Sequence, residues 1–290
     1  MNNLSGIGVA LVTPFNEDLS VDFDSLTRLI EFNIENGTNY LVVLGTTAEA
    51  ATLTAEEKDK IVKHVIKINQ GRLPLVLGIG GNNTAEVVKQ INETDTSAFE
   101  AILSVCPYYN KPNQEGIYQH YKALASTRKN IIIYNVPGRT GSNIEANTTL
   151  RLAQEFPNLI MIKEACPNIN QYFDIIRKKP EHFNLVSGDD EYALAVTLAG
   201  GNGVISVIGQ AYPKEFSQLI QLGREGNAKE AYKIQNKMVE ITRLIFAEGN
   251  PTGIKYILSE MGIIKNFLRL PLVAASEGLV QKIKAEMANI

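Results

Sequence analysis

The sequence predicts a (β/α)8 barrel of the TIM-barrel class, followed by a C-terminal helical appendage. Its 290 residues suit one large barrel or two ordinary domains, and 44% of them are hydrophobic, which is enough to bury a large core. Short apolar runs recur eight times, with amphipathic stretches between them. This eightfold strand–helix alternation favours a closed barrel over a doubly wound sheet, since an open sheet has no preference for that number.

The eight apolar runs are the predicted strands. They are rich in Val, Ile and Leu and do not alternate in polarity, which is typical of strands buried on both faces. In chain order they cover residues 8–14, 40–47, 73–80, 100–109, 130–137, 159–165, 183–189 and 203–209.

Helices are predicted in the intervals. Residues 22–35 carry apolar side chains at helical spacing. Thr54 and Glu57 have the spacing of a capping box, which predicts a helix from there to Asn69.

The strand–helix pattern ends near Gly223, and a helical region is predicted beyond it. Its three helix-like segments cover residues 227–247, 251–261 and 275–289. No low-complexity linker precedes them. We therefore expect residues 1–224 to form the barrel with the active site, and residues 225–290 to pack on it.

Composition and charge exclude several classes of partner. The formal net charge is −3, and no dense Lys/Arg run indicates nucleic acid or an anionic membrane. The first residues lack the basic region of a signal peptide, and no apolar run is long enough to span a bilayer. The two cysteines, Cys106 and Cys166, form no CxxC pair. These features predict a cytoplasmic protein.

A lysine interrupts one of the buried runs. In "LIMIKEAC", residues 159–166, Lys163 follows four apolar residues. Burial disfavours the charged form of an amine, and a neutral amine can attack a carbonyl to form a Schiff base. Alternatively, Lys163 pairs with Glu164 or another acid at the barrel rim. The spacing alone leaves both interpretations open.

Further polar residues cluster at predicted strand ends, where barrel enzymes carry their chemistry. Tyr and Thr hydroxyls can relay protons, although strand-end tyrosines are more often packing residues. Arg139, in the turn "NVPGRTG", suits bidentate capture of a carboxylate, or else forms a surface ion pair. The strand-end residues are Thr46, Thr47, Glu49, Tyr108, Tyr109, Tyr134, Arg139, Lys163, Gly188 and Asp189.

Several motifs, taken together and in order, resemble those of the dihydrodipicolinate synthase family. Any one of them alone is weak, but the joint match is specific and covers nearly the whole chain. The motifs are GTTAEAATL (45–53), PYYNKPNQEG (107–116), YNVPGRTG (134–141), IKEA (162–165), SGDD (187–190), GVISV (203–207), NP (250–251) and LRLPLV (268–273).

The resemblance implies a lyase of the class I aldolase type with a barrel fold and a C-terminal helical part, usually a homotetramer built from tight dimers. It implies condensation of pyruvate with aspartate 4-semialdehyde, on the route to diaminopimelate and lysine. It also implies no metal and no organic cofactor. His64, His120 and His182 agree with this, because they are scattered and have no metal-ligand spacing.

The resemblance also implies the catalytic roles. Lys163 matches the Schiff-base lysine, and Tyr134 matches the tyrosine that shuttles protons to and from the intermediate. Thr47 matches the residue that links this tyrosine to Tyr109, which in the family reaches in from the neighbouring subunit.

Substrate binding is implied in the same way. Thr46 and Thr47 match the pair that holds the pyruvate carboxylate, and Arg139 matches the arginine that binds the semialdehyde carboxylate. Gly188 and Ile205 match positions that contribute backbone groups near the substrates.

A possible allosteric lysine site follows from the same likeness. The matching pocket residues are Gly80, Asn82, Glu86 and Tyr108. Inhibited members often carry His at the positions of Ala55 and Lys58. A Lys58 cation would repel the ammonium groups of bound lysine. We therefore expect weak or absent lysine inhibition.

Two other functions remain open from the sequence. One is another pyruvate lyase, such as N-acetylneuraminate lyase, which shares the lysine and tyrosine but generally differs at the position of Arg139. The other is a non-catalytic barrel that binds a metabolite as a sensor. Cys166 is interpreted as a small buried residue rather than a reactive thiol.

Overall fold

A computed structural model describes residues 4–290 and contains a closed barrel of eight parallel strands. Each strand pairs with the next in chain order, and the last pairs with the first. This confirms the predicted fold class. The strands are β1 (Gly6–Ala10), β2 (Tyr40–Val43), β3 (Leu75–Gly78), β4 (Ala101–Val105), β5 (Ile131–Asn135), β6 (Leu159–Glu164), β7 (Asn184–Ser187) and β8 (Gly203–Ser206). Residues 1–3 of the predicted barrel region lie outside the described residues.

Helices follow the strands and surround the barrel. They are α1 (Phe23–Glu35), α2 (Ala55–Asn69), α3 (Thr84–Glu93), α4 (Gln114–Ala125), the short α5 (Pro137–Thr140), α6 (Ala146–Glu155), α7 (Ile169–Lys178), α8 (Ala193–Leu198) and α9 (Pro213–Arg224). The capping box of α2 is confirmed, because Glu57 N donates to Thr54 Oγ1 while Thr54 N donates to Glu57 Oε2.

Three more helices follow the barrel: α10 (Ala228–Leu244), α11 (Thr252–Glu260) and α12 (Glu277–Met287). Helix α10 packs against α8 and α9, and α12 packs against α10 and α11. We propose residues 225–290 as a distinct region, because α9 completes the barrel pattern at Arg224. No helix within residues 4–290 has both the length and the apolar character needed to cross a membrane.

Several strands are shorter than the apolar runs that predicted them. The second run extends to residue 47, but β2 ends at Val43 because Leu44 adopts a left-handed backbone conformation, with φ +57°. The fourth run likewise outlasts β4. Leu44 and Cys106 remain buried beyond their strands. The apolar run therefore extends beyond the hydrogen-bonded strand, because a residue can be buried without belonging to a strand.

Side chains that point into the barrel form a separate apolar cluster. This barrel-interior cluster includes Val42, Val76, Leu103, Ile132, Tyr134, Met161, Val186 and Ile205. Because side chains of a strand alternate between its faces, Lys163 shares the inward face of β6 with Met161, two residues earlier. The barrel thus supplies an apolar floor beneath the lysine.

Candidate active site

Lys163 and Tyr134 lie side by side inside the barrel. They are direct partners in the β5–β6 register, and both are buried, at 5% and 6% exposure. The Lys163 Nζ is 4.4 Å from the centroid of the Tyr134 ring. Neighbouring parallel strands at this register place an amine next to a phenol, which is an arrangement suited to proton exchange with a group bound on the amine.

Glu164 is not the partner of Lys163, so the structure does not support the ion pair considered from the sequence. Its side chain leaves the opposite face of β6 because successive residues of a strand alternate. Its carboxylate accepts hydrogen bonds of 2.8 Å from Asn135 Nδ2, Gln171 Nε2 and Cys166 N. Lys163 forms no ion pair with any acid in residues 4–290, so the amine is free for chemistry.

Gly188 makes room for the lysine side chain. A Cβ at this position would lie 2.9 Å from Lys163 Cε and 2.9 Å from Ala165 Cβ, distances that real Cβ contacts essentially never show. A larger residue would therefore displace Lys163. Ile205 is fully buried on β8 and belongs to the barrel-interior cluster.

A 3-10 turn after β2, Thr46–Ala48, brings the two predicted threonines to the mouth of the barrel. Thr46 is exposed, whereas Thr47 is buried. Thr13 Oγ1 donates to Ala48 O at 2.7 Å and so ties the turn to the segment after β1. The Thr47 hydroxyl oxygen accepts a hydrogen bond from Asn250 Nδ2 at 2.9 Å.

Arg139 lies in α5 (Pro137–Thr140), which is followed by Gly141, a glycine with φ +70°. Its guanidinium is exposed and donates from Nη2 to Asn250 O at 3.4 Å. Within residues 4–290 no carboxylate pairs with it, so the surface ion pair is not formed. A free, exposed guanidinium at the mouth of the site can bind a substrate carboxylate.

Asn250 is a site residue that the sequence reasoning missed. Its side chain holds Thr47 and its carbonyl meets Arg139, so it connects the two predicted carboxylate sites. The Asn-Pro dipeptide was the only sequence signal, and it did not indicate a side-chain role. The contact with Thr47 joins residues 203 positions apart, which local patterns cannot show.

Tyr109 is set apart from the other predicted catalytic residues. It lies in the loop after β4, has φ +73° and is 88% exposed. Across residues 4–290, no hydrogen bond joins Thr47 to Tyr109 or to Tyr134. The relay that the resemblance implies is therefore not assembled within a single chain.

A cavity of about 1000 Å³ runs from the barrel mouth towards α2. Its lining includes Thr46, Tyr134, Arg139 and Asn250. Gly80 and Tyr108 of the predicted lysine pocket line the same cavity, as do Ala55 and Lys58. Asn82 Nδ2 donates to Tyr108 O at 3.2 Å, and Glu86 lies in the first turn of α3. Among residues 4–290, no cluster of three or more His, Cys, Asp or Glu side chains could hold a metal ion.

Glu164 should make stability depend on pH. Burial raises the pKa of this carboxyl from 4.5 to about 7, despite its three hydrogen-bond donors. Between these values the folded protein binds the proton more tightly than the unfolded chain, so stability is lost as pH rises. The contribution is about 3 kcal/mol in the free energy of unfolding.

A Glu164→Gln variant should lack this contribution. We expect its free energy of unfolding, relative to the parent protein, to increase between pH 5 and pH 8 in denaturant titrations. Asp190 also has a buried carboxyl, with a pKa raised to about 6. It is present in both proteins, so its contribution to the pH dependence cancels in the difference between them. A difference that is the same at both pH values would contradict the prediction.

Comparisons with known proteins agree with this geometry. The model of the dihydrodipicolinate synthetase family matches residues 3–290. A curated protein from Parabacteroides distasonis, named 4-hydroxy-tetrahydrodipicolinate synthase, is 52% identical over 289 residues, which are 99% of this chain and 97% of that protein.

Solved structures of similar proteins have the same fold. A dihydrodipicolinate synthase from Acinetobacter baumannii complexed with pyruvate is 38% identical, with a TM-score of 0.95 over 99% of this chain and 98% of that one. A monomeric dihydrodipicolinate synthase variant is 37% identical, with a TM-score of 0.96 over 99% and 97% of the two chains. The motifs, the barrel and these likenesses agree over the whole length, and the chain belongs to the dihydrodipicolinate synthetase family.

Proposed function

We propose that this protein condenses pyruvate with L-aspartate 4-semialdehyde to 4-hydroxy-tetrahydrodipicolinate, a step in diaminopimelate and lysine biosynthesis. One observation carries the proposal. Lys163 is buried, forms no ion pair within the part of the chain that the structure describes, and lies against Tyr134 in the barrel. The chain is 52% identical to a named synthase of this kind. The enzyme is a lyase of the class I aldolase type.

The chemistry starts at Lys163. Its neutral amine attacks the keto carbon of pyruvate, and loss of water gives a Schiff base. Loss of a methyl proton then forms an enamine, whose carbon attacks the aldehyde of the second substrate. The amino group of that substrate then attacks the imine carbon, which closes the ring and breaks the bond to the Lys163 amine. Tyr134, beside the amine, carries protons to and from these intermediates. The protein itself supplies the nucleophile and the proton carrier, and we propose that no cofactor takes part.

The remaining residues have proposed roles in binding the carboxylates of the two substrates. We propose that Thr46 and Thr47 hold the pyruvate carboxylate and that Arg139 binds the semialdehyde carboxylate. The Asn250 contacts to Thr47 and Arg139 support this, because they keep the two subsites at a fixed separation. Gly188 and Ile205 contribute backbone near the substrates.

A direct comparison of acceptors tests the function. Turnover is measured with pyruvate plus aspartate 4-semialdehyde and, in parallel, with pyruvate plus N-acetylmannosamine. Efficient use of the semialdehyde alone is the expected result. Preference for the sugar would instead indicate a pyruvate lyase such as N-acetylneuraminate lyase. A pyruvate adduct on Lys163 without turnover of either aldehyde would indicate a sensor.

We further propose that a second copy of the chain completes the site. The Tyr109 side chain is 88% exposed and its hydroxyl forms no hydrogen bond within residues 4–290, although the family role places it next to Thr47. A tight dimer would let each chain supply Tyr109 to the other, and two such dimers would form the homotetramer. The free, buried thiols of Cys106 and Cys166 agree with a cytoplasmic location, where disulfides are rare.

Dilution should therefore reduce activity. As the oligomer dissociates, we expect specific activity to fall towards zero in parallel with the loss of dimer, measured by analytical ultracentrifugation at matched concentrations. Adding concentrated Tyr109→Phe chains to a dilute sample should restore less activity than adding parent chains. An active monomer would refute the shared site.

Lysine is expected to inhibit weakly or not at all. Lys58 lines the same cavity as Gly80 and Tyr108, so its cation faces the space that the ammonium groups of lysine would enter. We expect less than half inhibition at about 1 mM lysine, a concentration that corresponds to weak binding. A Lys58→His variant should be inhibited at lower lysine concentrations. Strong inhibition of the parent protein in the submillimolar range would contradict the prediction.

A further inference from the structure

A buried ion pair connects the active-site turn to the C-terminal region. Lys255 in α11 and Glu49 both have fully buried side chains, and Lys255 Nζ contacts Glu49 Oε1. The amine also donates to Phe267 O at 2.9 Å and lies 4.2 Å from the centroid of the Phe15 ring. The proposed reaction uses neither charge.

Glu49 is part of the backbone that shapes the threonine turn. It directly follows the 3-10 turn Thr46–Ala48 and adopts a left-handed conformation, with φ +54°. Its N–H donates to Thr46 O at 3.1 Å and closes the turn. Its second carboxylate oxygen, Oε2, accepts from Arg269 N at 3.0 Å. The side chain of Glu49 therefore fixes the end of the turn to two separate segments of the C-terminal region.

The same region attaches to the turn a second time. Asn250, just before α11, donates to Thr47, while Lys255 lies in the first turns of that helix. Asn250 and the nearby start of α11 thus bind two neighbouring points of the turn. Such a double attachment fixes both the position and the orientation of Thr46 and Thr47.

Stability alone does not account for this arrangement. Burial lowers the pKa of Lys255 to about 8 even though Glu49 opposes the shift, so desolvation exceeds the attraction. Buried ion pairs are often no more stabilising than apolar side chains of similar size, although loss of one partner leaves a costly unpaired charge. An ion pair can add what apolar packing lacks, a fixed direction and distance between the two segments.

We propose that the Glu49–Lys255 ion pair is a positioning device for the pyruvate-binding turn. It holds the Thr46 and Thr47 groups where the pyruvate carboxylate binds, while Lys163 attacks the keto carbon. The inference rests on the proposed function, because it assumes that this turn binds pyruvate. It adds two positioning residues that do not touch the substrate themselves.

The test uses a double variant, Glu49→Gln with Lys255→Met, which removes both charges and leaves no unpaired ion. The readout is the pyruvate concentration that half-saturates borohydride trapping on Lys163. We expect this concentration to rise about tenfold, which corresponds to about 1.4 kcal/mol of lost binding. The KM for the semialdehyde should change less than twofold, since Arg139 does not contact the ion pair.

An Ile257→Ala variant is the matched control. Ile257 is fully buried in the same helix, and its apolar side chain cannot form a hydrogen bond or ion pair with the turn, so the substitution lowers stability and leaves the polar contacts in place. We expect unchanged half-saturation by pyruvate in this control, with melting temperatures recorded for all variants. If the double variant does not fold, Lys255→Arg, which keeps both charges but changes the geometry of the pair, is measured below its melting temperature.

The outcomes separate this inference from the proposed function. A folded ion-pair variant that saturates with pyruvate like the parent overturns the positioning role. An equal loss of pyruvate binding in Ile257→Ala also overturns it, because the effect would then follow stability. If the parent protein forms no pyruvate adduct at all, the proposed function itself fails.

Discussion

Replacement of Lys163 with methionine is expected to abolish turnover and the borohydride-stabilised pyruvate adduct together. In the proposed reaction pyruvate bonds covalently to the Lys163 amine, so the substitution removes the nucleophile. Loss of a covalent nucleophile typically costs about 10⁴-fold or more in kcat. Methionine is unbranched and flexible, so it can follow the lysine path past Gly188 without a clash.

Mass spectrometry after borohydride reduction with pyruvate locates the adduct. In the parent protein the added mass should be on the peptide that contains Lys163, and in the variant it should be absent. Lys179→Met is the control, because Lys179 is a partly buried lysine outside the site that donates to Phe183 O. Normal turnover by the Lys163 variant, or an adduct on another lysine, would contradict the assignment of Lys163 as the residue that forms the Schiff base.

Tyr134→Phe is expected to separate adduct formation from proton transfer. The ring would keep its place 4.4 Å from the lysine amine, while the hydroxyl that we propose as the proton carrier would be lost. Positioned acid–base groups contribute about 10²- to 10⁴-fold, so kcat should fall within that range. Pyruvate should still react with Lys163, although more slowly.

Deuterium exchange of the pyruvate methyl group is the specific readout. In deuterated water without the second substrate, the parent protein should exchange methyl protons through the enamine, and Tyr134→Phe should exchange them far more slowly. Tyr232→Phe, which removes a hydroxyl from an exposed residue of α10, is the control. Equal exchange rates in parent and Tyr134→Phe would show that another group moves the proton.

Lys163 and Glu164, at the end of β6, show why neighbouring residues can have unlike roles. Glu164 follows Lys163 in the chain, yet it faces the helices and is bound by Asn135 and Gln171. Asn135–Glu164 is the next register pair after Tyr134–Lys163 along β5 and β6, and its side chains point to the opposite face of the sheet. We infer that the outward pair supports the alignment of β5 and β6, and so the approach of the phenol to the amine.

The sequence by itself determined the barrel, its eight strands and the helices between them. These follow from local hydrophobic runs, helical spacing and caps such as Thr54–Glu57, which a few neighbouring residues define. It also identified Lys163 as unusual, because an ammonium within an apolar run has a cost that is visible without coordinates. Family likeness, rather than periodicity, supplied the roles of Tyr134 and Arg139.

Only the tertiary structure decided which of these groups meet. The turn from Leu44 out of β2, the inward direction of Lys163 and the outward direction of Glu164 depend on barrel closure and register. Asn250 reaches Thr47 across 203 positions, and Lys255 reaches Glu49 from the far end of the chain. Such contacts join segments that are close only after the barrel and the C-terminal helices have packed, so no local pattern in the chain records them.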